Sequence, residues 1–89
     1  TELRFDGPAE AEYNRFRGVT PNPGAFLQTT LGLVRLGQVR RSELFGVPGT
    51  VLKRDPLTIA FEGGALELLE IQPEGKKRMT GRDWANGAR

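Results

Sequence analysis

The chain has 89 residues, 37% hydrophobic and 27% charged, and its 13 Lys and Arg against 11 Asp and Glu leave a net charge of +2. This composition is typical of one globular domain and excludes a disordered or membrane-spanning chain, because no apolar run approaches the roughly 20 residues that a transmembrane helix needs. The sequence has no Cys and no His, which excludes Cys/His zinc sites and His- or Cys-dependent nucleophilic catalysis within the chain and favours a cytoplasmic setting.

The first predicted element is a short helix over residues 8–17. Pro8 suits the first helical position, where a missing N–H costs nothing, and Asp6 or Gly7 is the expected cap. Glu10 and Glu12 lie near the positive end of the helix dipole and are expected on its exposed side. Helical spacing places the following residues on one apolar face: Ala9, Tyr13 and Phe16.

The middle of the chain is predicted to be β-structure. Pro21-Asn22-Pro23-Gly24 breaks the chain after the helix, and Gly63-Gly64 indicates a hairpin turn. Gly37, inside a strand, indicates a β-bulge or a barrel corner. Five short strands are expected, over residues 25–30, 33–40, 51–53, 57–61 and 65–71.

A last short helix is predicted over residues 81–86. Thr80 is its expected cap, with Asp83 three residues later as in a capping box, and Gly87 ends it. Trp84 is expected to anchor the helix to the core.

These elements predict a mainly β fold with short flanking helices, arranged as a small OB-like five-stranded barrel. Short strands separated by turn glycines are typical of small barrels, and closure removes exposed sheet edges. Strand alternation predicts these inward residues: Val34, Leu36, Val51, Ile59, Phe61, Leu66 and Leu68.

No catalytic residue is predicted. General acid–base chemistry needs a His or a pair of carboxylates in contrasting environments. The acidic residues are expected to be solvated, and Glu67 and Glu70 fall on opposite faces of a regular strand.

Three basic clusters are the candidate binding residues: Arg40-Arg41, Lys53-Arg54 and Lys76-Lys77-Arg78. In a small barrel, strand ends and loops converge on one rim, and such a patch neutralises nucleic-acid phosphates. The alternative is that each cluster is a solubilising loop end. Because the aromatic residues are expected in the core, any RNA is bound by its backbone and shape and not by base stacking.

Several motifs in order resemble the C-terminal domain of the methionyl-tRNA formyltransferases. Residues 15–26 resemble the helix end and double-proline segment of that family, and residues 48–52 its mid-domain Pro-Gly turn and strand. Residues 63–79, with Gln72-Pro73-Glu74-Gly75-Lys76-Lys77-Arg78-Met79, resemble its hairpin and the basic motif that follows, and residues 83–87 continue as the closing helix.

The chain departs from this family at two places. Asn22 stands between the prolines where the family usually has an aromatic residue, and Gly7-Pro8 stands where it often has a Trp. The alternative is therefore the C-terminal domain of a related formyltransferase, acting on a sugar nucleotide or formyl-folate, in which this domain is a non-catalytic interaction or positioning module.

The resemblance implies that residues 1–89 are one C-terminal OB-like domain of a longer protein. The absence of an initiator Met at Thr1 favours the same interpretation. The resemblance also implies an N-terminal catalytic domain outside this chain, which transfers a formyl group from 10-formyltetrahydrofolate to initiator Met-tRNA. This domain would bind no cofactor and no metal, and it would not associate with a membrane. It would contact tRNA phosphates through Lys76, Lys77 and Arg78, with Arg40 and Arg41 as weaker partners.

Overall fold

The computed structural model describes residues 2–19, 24–29 and 32–87. Within these ranges the elements, in chain order, are β1 (Glu2–Leu3), α1 (Ala9–Val19), β2 (Ala25–Thr29), β3 (Gly32–Ser42), β4 (Val51–Arg54), β5 (Leu57–Phe61), β6 (Gly64–Pro73), β7 (Met79–Thr80) and α2 (Gly81–Gly87). The mainly β prediction with a short helix near each end is confirmed. The Pro21–Pro23 break lies outside the described residues.

The strands form one sheet in the order β1-β2-β3-β6-β5-β4, and β7 pairs with β6 beyond the end of β5. The five predicted strands correspond to β2–β6, while the two-residue strands β1 and β7 were not predicted. Among the described residues no pairing joins β1 to β4, so hydrogen bonds do not close the sheet into the predicted barrel. Its edges are instead short, four residues in β4 and two in β1, which limits the unpaired backbone they expose.

The hairpin between β5 and β6 forms where Gly63-Gly64 predicts it. Phe61 pairs with Gly64, and Gly63 turns the chain at a φ of 70°. Such a backbone conformation favours glycine because it has no Cβ to clash.

One hydrophobic core fills the space between the inner sheet face and α1. Its buried members are Leu3, Ala9, Phe16, Ala25, Leu27, Val34, Leu36, Val39, Leu57, Ile59, Phe61, Leu66, Leu68 and Ile71. Six of the seven predicted inward residues are therefore buried, and Val51 is not.

The prediction for Val51 was wrong, because its side chain is 52% exposed. It lies on β4, which has only β5 beside it. Val51 pairs in register with the buried residue Ile59, so it is exposed because β4 is an edge strand and not because its register differs.

The first helix was predicted correctly in position, but Glu12 was wrongly expected to be exposed. It is 4% exposed and accepts a hydrogen bond from the backbone N–H of Arg4 at 2.6 Å. The Arg15 guanidinium lies 3.3 Å from its carboxylate. Glu12 thus joins α1 to the segment that follows β1, and the buried charge is compensated by both contacts.

The second helix begins as predicted. The backbone N–H of Asp83 donates to the Thr80 hydroxyl at 3.1 Å, which satisfies one free donor of the first turn. Trp84 packs half-buried against the core. No helix in the described part of the chain is long and apolar enough to cross a membrane.

Candidate nucleic-acid interface

Lys76, Lys77 and Arg78 form the basic segment, which the fold holds close to β6. Gly75 turns the chain at a φ of 78°, and the backbone N–H of Lys76 donates to the Pro73 carbonyl at 3.0 Å. The side-chain amide of Gln72 donates to the Lys76 carbonyl at 3.1 Å. Strand β7 then pairs with β6 directly after Arg78. The basic segment is therefore fixed at both ends while all three side chains are exposed.

The three side chains of the basic segment differ in their partners. The Arg78 guanidinium lies 2.6 Å from the Glu70 carboxylate. Neither Lys76 nor Lys77 has a carboxylate within ion-pair distance among the described residues. Their ammonium groups are therefore available to an external anion without first losing an internal partner.

Arg40 and Arg41 leave β3 on opposite faces, as neighbours on a strand do. Arg40 pairs in register with Glu67 and donates to its carboxylate at 2.7 Å. Arg41 turns to the side of α1, where its guanidinium lies 5.3 Å from the centre of the Tyr13 ring and 3.7 Å from Glu10. The structure thus separates these two candidates, and only Arg40 lies on the face that carries Glu67.

Lys53 and Arg54 divide in the same way. Lys53 pairs with Thr58, Thr58 with Glu67, and Glu67 with Arg40, which places Lys53 and Arg40 at the two ends of one row across four strands. Arg54 pairs with Leu57 and lines an apolar cleft with it. One member of each strand cluster therefore joins this outer face, and its neighbour does not.

Two β-bulges decide which charges share the outer face. The β3–β6 register shifts on each side of Gln38, leaving Gly37 as an extra residue on β3 and Leu69 as one on β6. The bulge at Gly37 confirms its prediction. The bulge at Leu69 overturns the expectation that Glu67 and Glu70 lie on opposite faces, since each pairs with an arginine on the outer face.

Arg35 is a basic residue of this face that the sequence did not single out. It is exposed, between the buried residues Val34 and Leu36, and it pairs in register with Gln72. Arg35 and Arg40 are five positions apart, so a regular strand would direct them to opposite faces, and the bulge at Gly37 brings both outward. We call the following set the outer basic face: Arg35, Arg40, Lys53 and the basic segment.

The remaining surface cations belong to other parts of the molecule. The Arg4 guanidinium donates a hydrogen bond to the Asp6 carboxylate. This hydrogen bond raises the pKa of the guanidinium above its ordinary value. Arg82 lies 3.4 Å from Asp55. Within the described ranges, no group of three or more acidic side chains is placed to hold a metal ion.

Comparison with known proteins identifies the family. The sequence model described as "Formyl transferase, C-terminal domain" matches residues 1–89. The chain belongs to this family. The resemblance read from the basic motif and the hairpin before it is confirmed at this level.

Curated relatives of the formyltransferase family match nearly the whole chain. A methionyl-tRNA formyltransferase from Solibacter usitatus is 46% identical over 87 residues, which cover 92% of this chain and 27% of the relative. One from Methylobacterium sp. (strain 4-46) is 40% identical over 99% of this chain and 30% of its own length. One from Mycobacterium tuberculosis (strain ATCC 25177 / H37Ra) is 40% identical over 98% and 30%. The chain thus spans less than a third of these relatives.

A solved structure shares the fold. A HypX variant from Aquifex aeolicus superposes with a TM-score of 0.75 over 90% of this chain and 15% of its own, at 17% sequence identity. At that identity the likeness shows the fold alone.

Proposed function

We propose that this chain is the tRNA-binding C-terminal domain of a cytoplasmic methionyl-tRNA formyltransferase. The outer basic face holds the phosphate backbone of initiator tRNA. A catalytic domain outside this chain transfers the formyl group of 10-formyltetrahydrofolate to the methionyl amino group. The donor binds in that domain, and no residue of this chain is assigned to it. The observation that carries the proposal concerns Lys76 and Lys77. The fold holds the backbone of this turn in place, and neither ammonium group has a carboxylate within ion-pair distance among the described residues.

The physical basis is counterion release. Each phosphate that a Lys or Arg neutralises releases condensed cations, so the logarithm of affinity falls with the logarithm of salt concentration by about 0.9 per contact. At about 0.1 M salt this slope corresponds to roughly eightfold in affinity for each contact. Contacts of this kind position the RNA and carry no base sequence.

The test is the variant K76A/K77A/R78A, measured by fluorescence anisotropy with initiator tRNA and an elongator tRNA across a salt series. We expect the affinity to fall by about two to three orders of magnitude at 0.1 M salt, to a similar extent for both tRNAs, and the salt slope to flatten by about one unit per lost contact. The matched control is R4A/R17A/R82A, which removes the same charge from exposed positions on other elements and should leave the slope unchanged.

The competing interpretation is that the basic segment only covers the end of the sheet with its aliphatic stems. In that case the triple variant keeps the wild-type salt slope and loses thermal stability. That result would remove the basic segment from the proposed interface.

A second candidate function rests on a different observation. Four large apolar side chains are exposed from the end of β3 to the first residue of β4: Leu44 at 41%, Phe45 at 74%, Val47 at 70% and Val51 at 52%. The expectation that the aromatic residues lie in the core was wrong for Phe45. An exposed apolar surface favours contact with another protein surface, as expected of a positioning module in a formyltransferase for a sugar nucleotide or formyl-folate. Formylation assays of the full-length protein with Met-tRNA and with an amino-sugar nucleotide separate the two functions.

A further inference from the structure

A small polar cavity opens on the outer basic face beside the bulge in β3. Its volume is about 100 Å³, well above the roughly 10–15 Å³ that a cavity needs to hold one water molecule. Arg35, Gln72 and Arg78 line it, with the backbone at Gly24 and Gly37. It is therefore large enough for a group such as a tetrahedral oxyanion.

The bulge explains how the cavity forms. Gly37 is the extra residue of β3, and it has no side chain to fill the space above it. A Cβ at this position would lie 3.1 Å from the Arg78 guanidinium and 3.2 Å from the Glu70 carbonyl oxygen. A side chain at this position would therefore press on the Arg78 guanidinium.

The cavity carries more positive charge than the protein neutralises. Glu70 holds Arg78 from one side at 2.6 Å, which orients that guanidinium and compensates one charge. Arg35 has no carboxylate within ion-pair distance among the described residues. Two guanidinium groups around one small cavity repel each other unless an anion lies between them.

The hydrogen-bond donors suit a phosphate. A guanidinium presents its N–H groups as a planar fork that matches two oxygens of one phosphate. The Gln72 amide uses one N–H on the Lys76 carbonyl and has a second to donate. Glu74, exposed in the following turn, is the other carboxylate close by in the chain. Its single negative charge is outnumbered by the positive charges of Lys76, Lys77 and the two arginines.

We infer that this cavity is a binding site for one phosphate group, held by Arg35 and Arg78. Resting on the proposed function, the inference assigns the phosphate to the backbone of the bound tRNA. Arg35 then fixes the position of the RNA strand relative to the basic segment, because the cavity accepts a phosphate in one place while Lys76 and Lys77 act as more mobile point charges.

Two variants test the site by different physical means. Arg35→Ala removes one donor fork, and we expect tRNA affinity to fall about eightfold at 0.1 M salt, with the slope flattened by about one unit. Its control is Arg54→Ala, the same change at an exposed arginine of β4 that lines the apolar cleft and not the outer basic face. This variant should bind tRNA as the wild type does. Gly37→Ala places a methyl group against the Arg78 guanidinium without changing any charge and should also weaken binding by several fold. Its control is Gly18→Ala, since a Cβ there meets nothing within 4 Å.

Inorganic phosphate distinguishes the two possible sources of the ligand. We titrate it into the labelled chain and follow the backbone amide signals of Gly24 and Gly37 by NMR. If Arg35→Ala loses tRNA affinity, the phosphate in the cavity is a phosphodiester of the bound RNA. If wild type binds no tRNA while phosphate shifts these signals in wild type and not in Arg35→Ala, the site stands for a free phosphate and the proposed function fails.

The inference is overturned if wild type binds tRNA, Arg35→Ala matches Arg54→Ala, and phosphate shifts neither amide. The proposed function survives that outcome, because the basic segment is tested separately. Thermal denaturation accompanies each variant. Arg35 is exposed, so Arg35→Ala keeps the inference falsifiable even if Gly37→Ala disturbs the bulge.

Discussion

Two exposed regions of this domain differ in their chemistry, one charged and one apolar. The outer basic face consists of charges held by the register of β3 with β6 and by the turn after β6. The other region, which we call the apolar end, comprises Leu44, Phe45, Val47 and Val51. It adjoins a cleft of about 470 Å³ whose walls include Phe5, Leu57 and Trp84.

On β4, strand alternation separates the charged surface from the apolar cleft. Arg40 and Lys53 face outward with the basic segment, while Arg54, next to Lys53, faces the cleft. A charged face suits a polyanion, and an apolar surface suits a protein partner. If the two regions act independently, a substitution in the apolar end leaves tRNA binding by the outer basic face unchanged.

The largest expected effect is at the start of α2, which connects the basic segment and β7 to the Trp84 wall of the cleft. Gly81 begins α2, directly after β7 and three residues before Trp84. A Cβ there would overlap the Leu68 carbonyl oxygen and lie 2.8 Å from the Leu57 Cβ. We expect Gly81→Ala to lower the free energy of unfolding by about 2–3 kcal/mol and the melting temperature by roughly 10–20 °C. Thermal and urea denaturation measure both.

The matched control for that substitution is Gly87→Ala at the other end of α2, where a Cβ meets nothing within 4 Å. It should change stability by less than about 0.5 kcal/mol. Equal stabilities for the two variants would mean that α2 is not packed against Leu57 and Leu68 as described.

How much of this arrangement the sequence predicts depends on whether a local signal sets it. The hairpin at Gly63-Gly64, the cap at Thr80 and the bulge at Gly37 follow from short-range chemistry, and all three are confirmed. The bulge at Leu69 has no glycine or proline to mark it, so the shared face of Glu67 and Glu70 was missed.

Long-range contacts account for the other differences. Glu12 lies where a solvated helix residue is expected, but it is buried and accepts a hydrogen bond from the backbone N–H of Arg4, eight residues earlier in the chain. Arg35 belongs to no basic cluster in the sequence. Its position beside Arg78 depends on the pairing of β3 with β6 and on the return of the chain after Gly75, and neither can be read from a window of neighbouring residues.

A smaller effect separates two neighbours on β3. We expect Arg40→Ala to weaken tRNA binding by about two- to fourfold at 0.1 M salt, less than a full contact, because Arg40 already shares its charge with Glu67 at 2.7 Å. Arg41→Ala should have less effect than this, since Arg41 lies against Tyr13 and Glu10 on the side of α1. Anisotropy titrations of the two single variants measure the difference. A larger loss of affinity for Arg41→Ala than for Arg40→Ala would indicate that the RNA binds beside α1 and not on the outer basic face.

The smallest expected effect is at the apolar end. Phe45 and Val47 are 74% and 70% exposed, so replacing both with Ser removes little buried surface and should change the free energy of unfolding by no more than about 0.5 kcal/mol. We also expect tRNA affinity and its salt slope to stay at the wild-type values, because neither residue carries charge or lies on the outer basic face. Urea denaturation and the same anisotropy series measure both quantities on one preparation. If the double variant instead weakens tRNA binding as much as Arg35→Ala does, the RNA contacts both regions. The division of this domain into a polyanion-binding face and a protein-binding end would then be wrong.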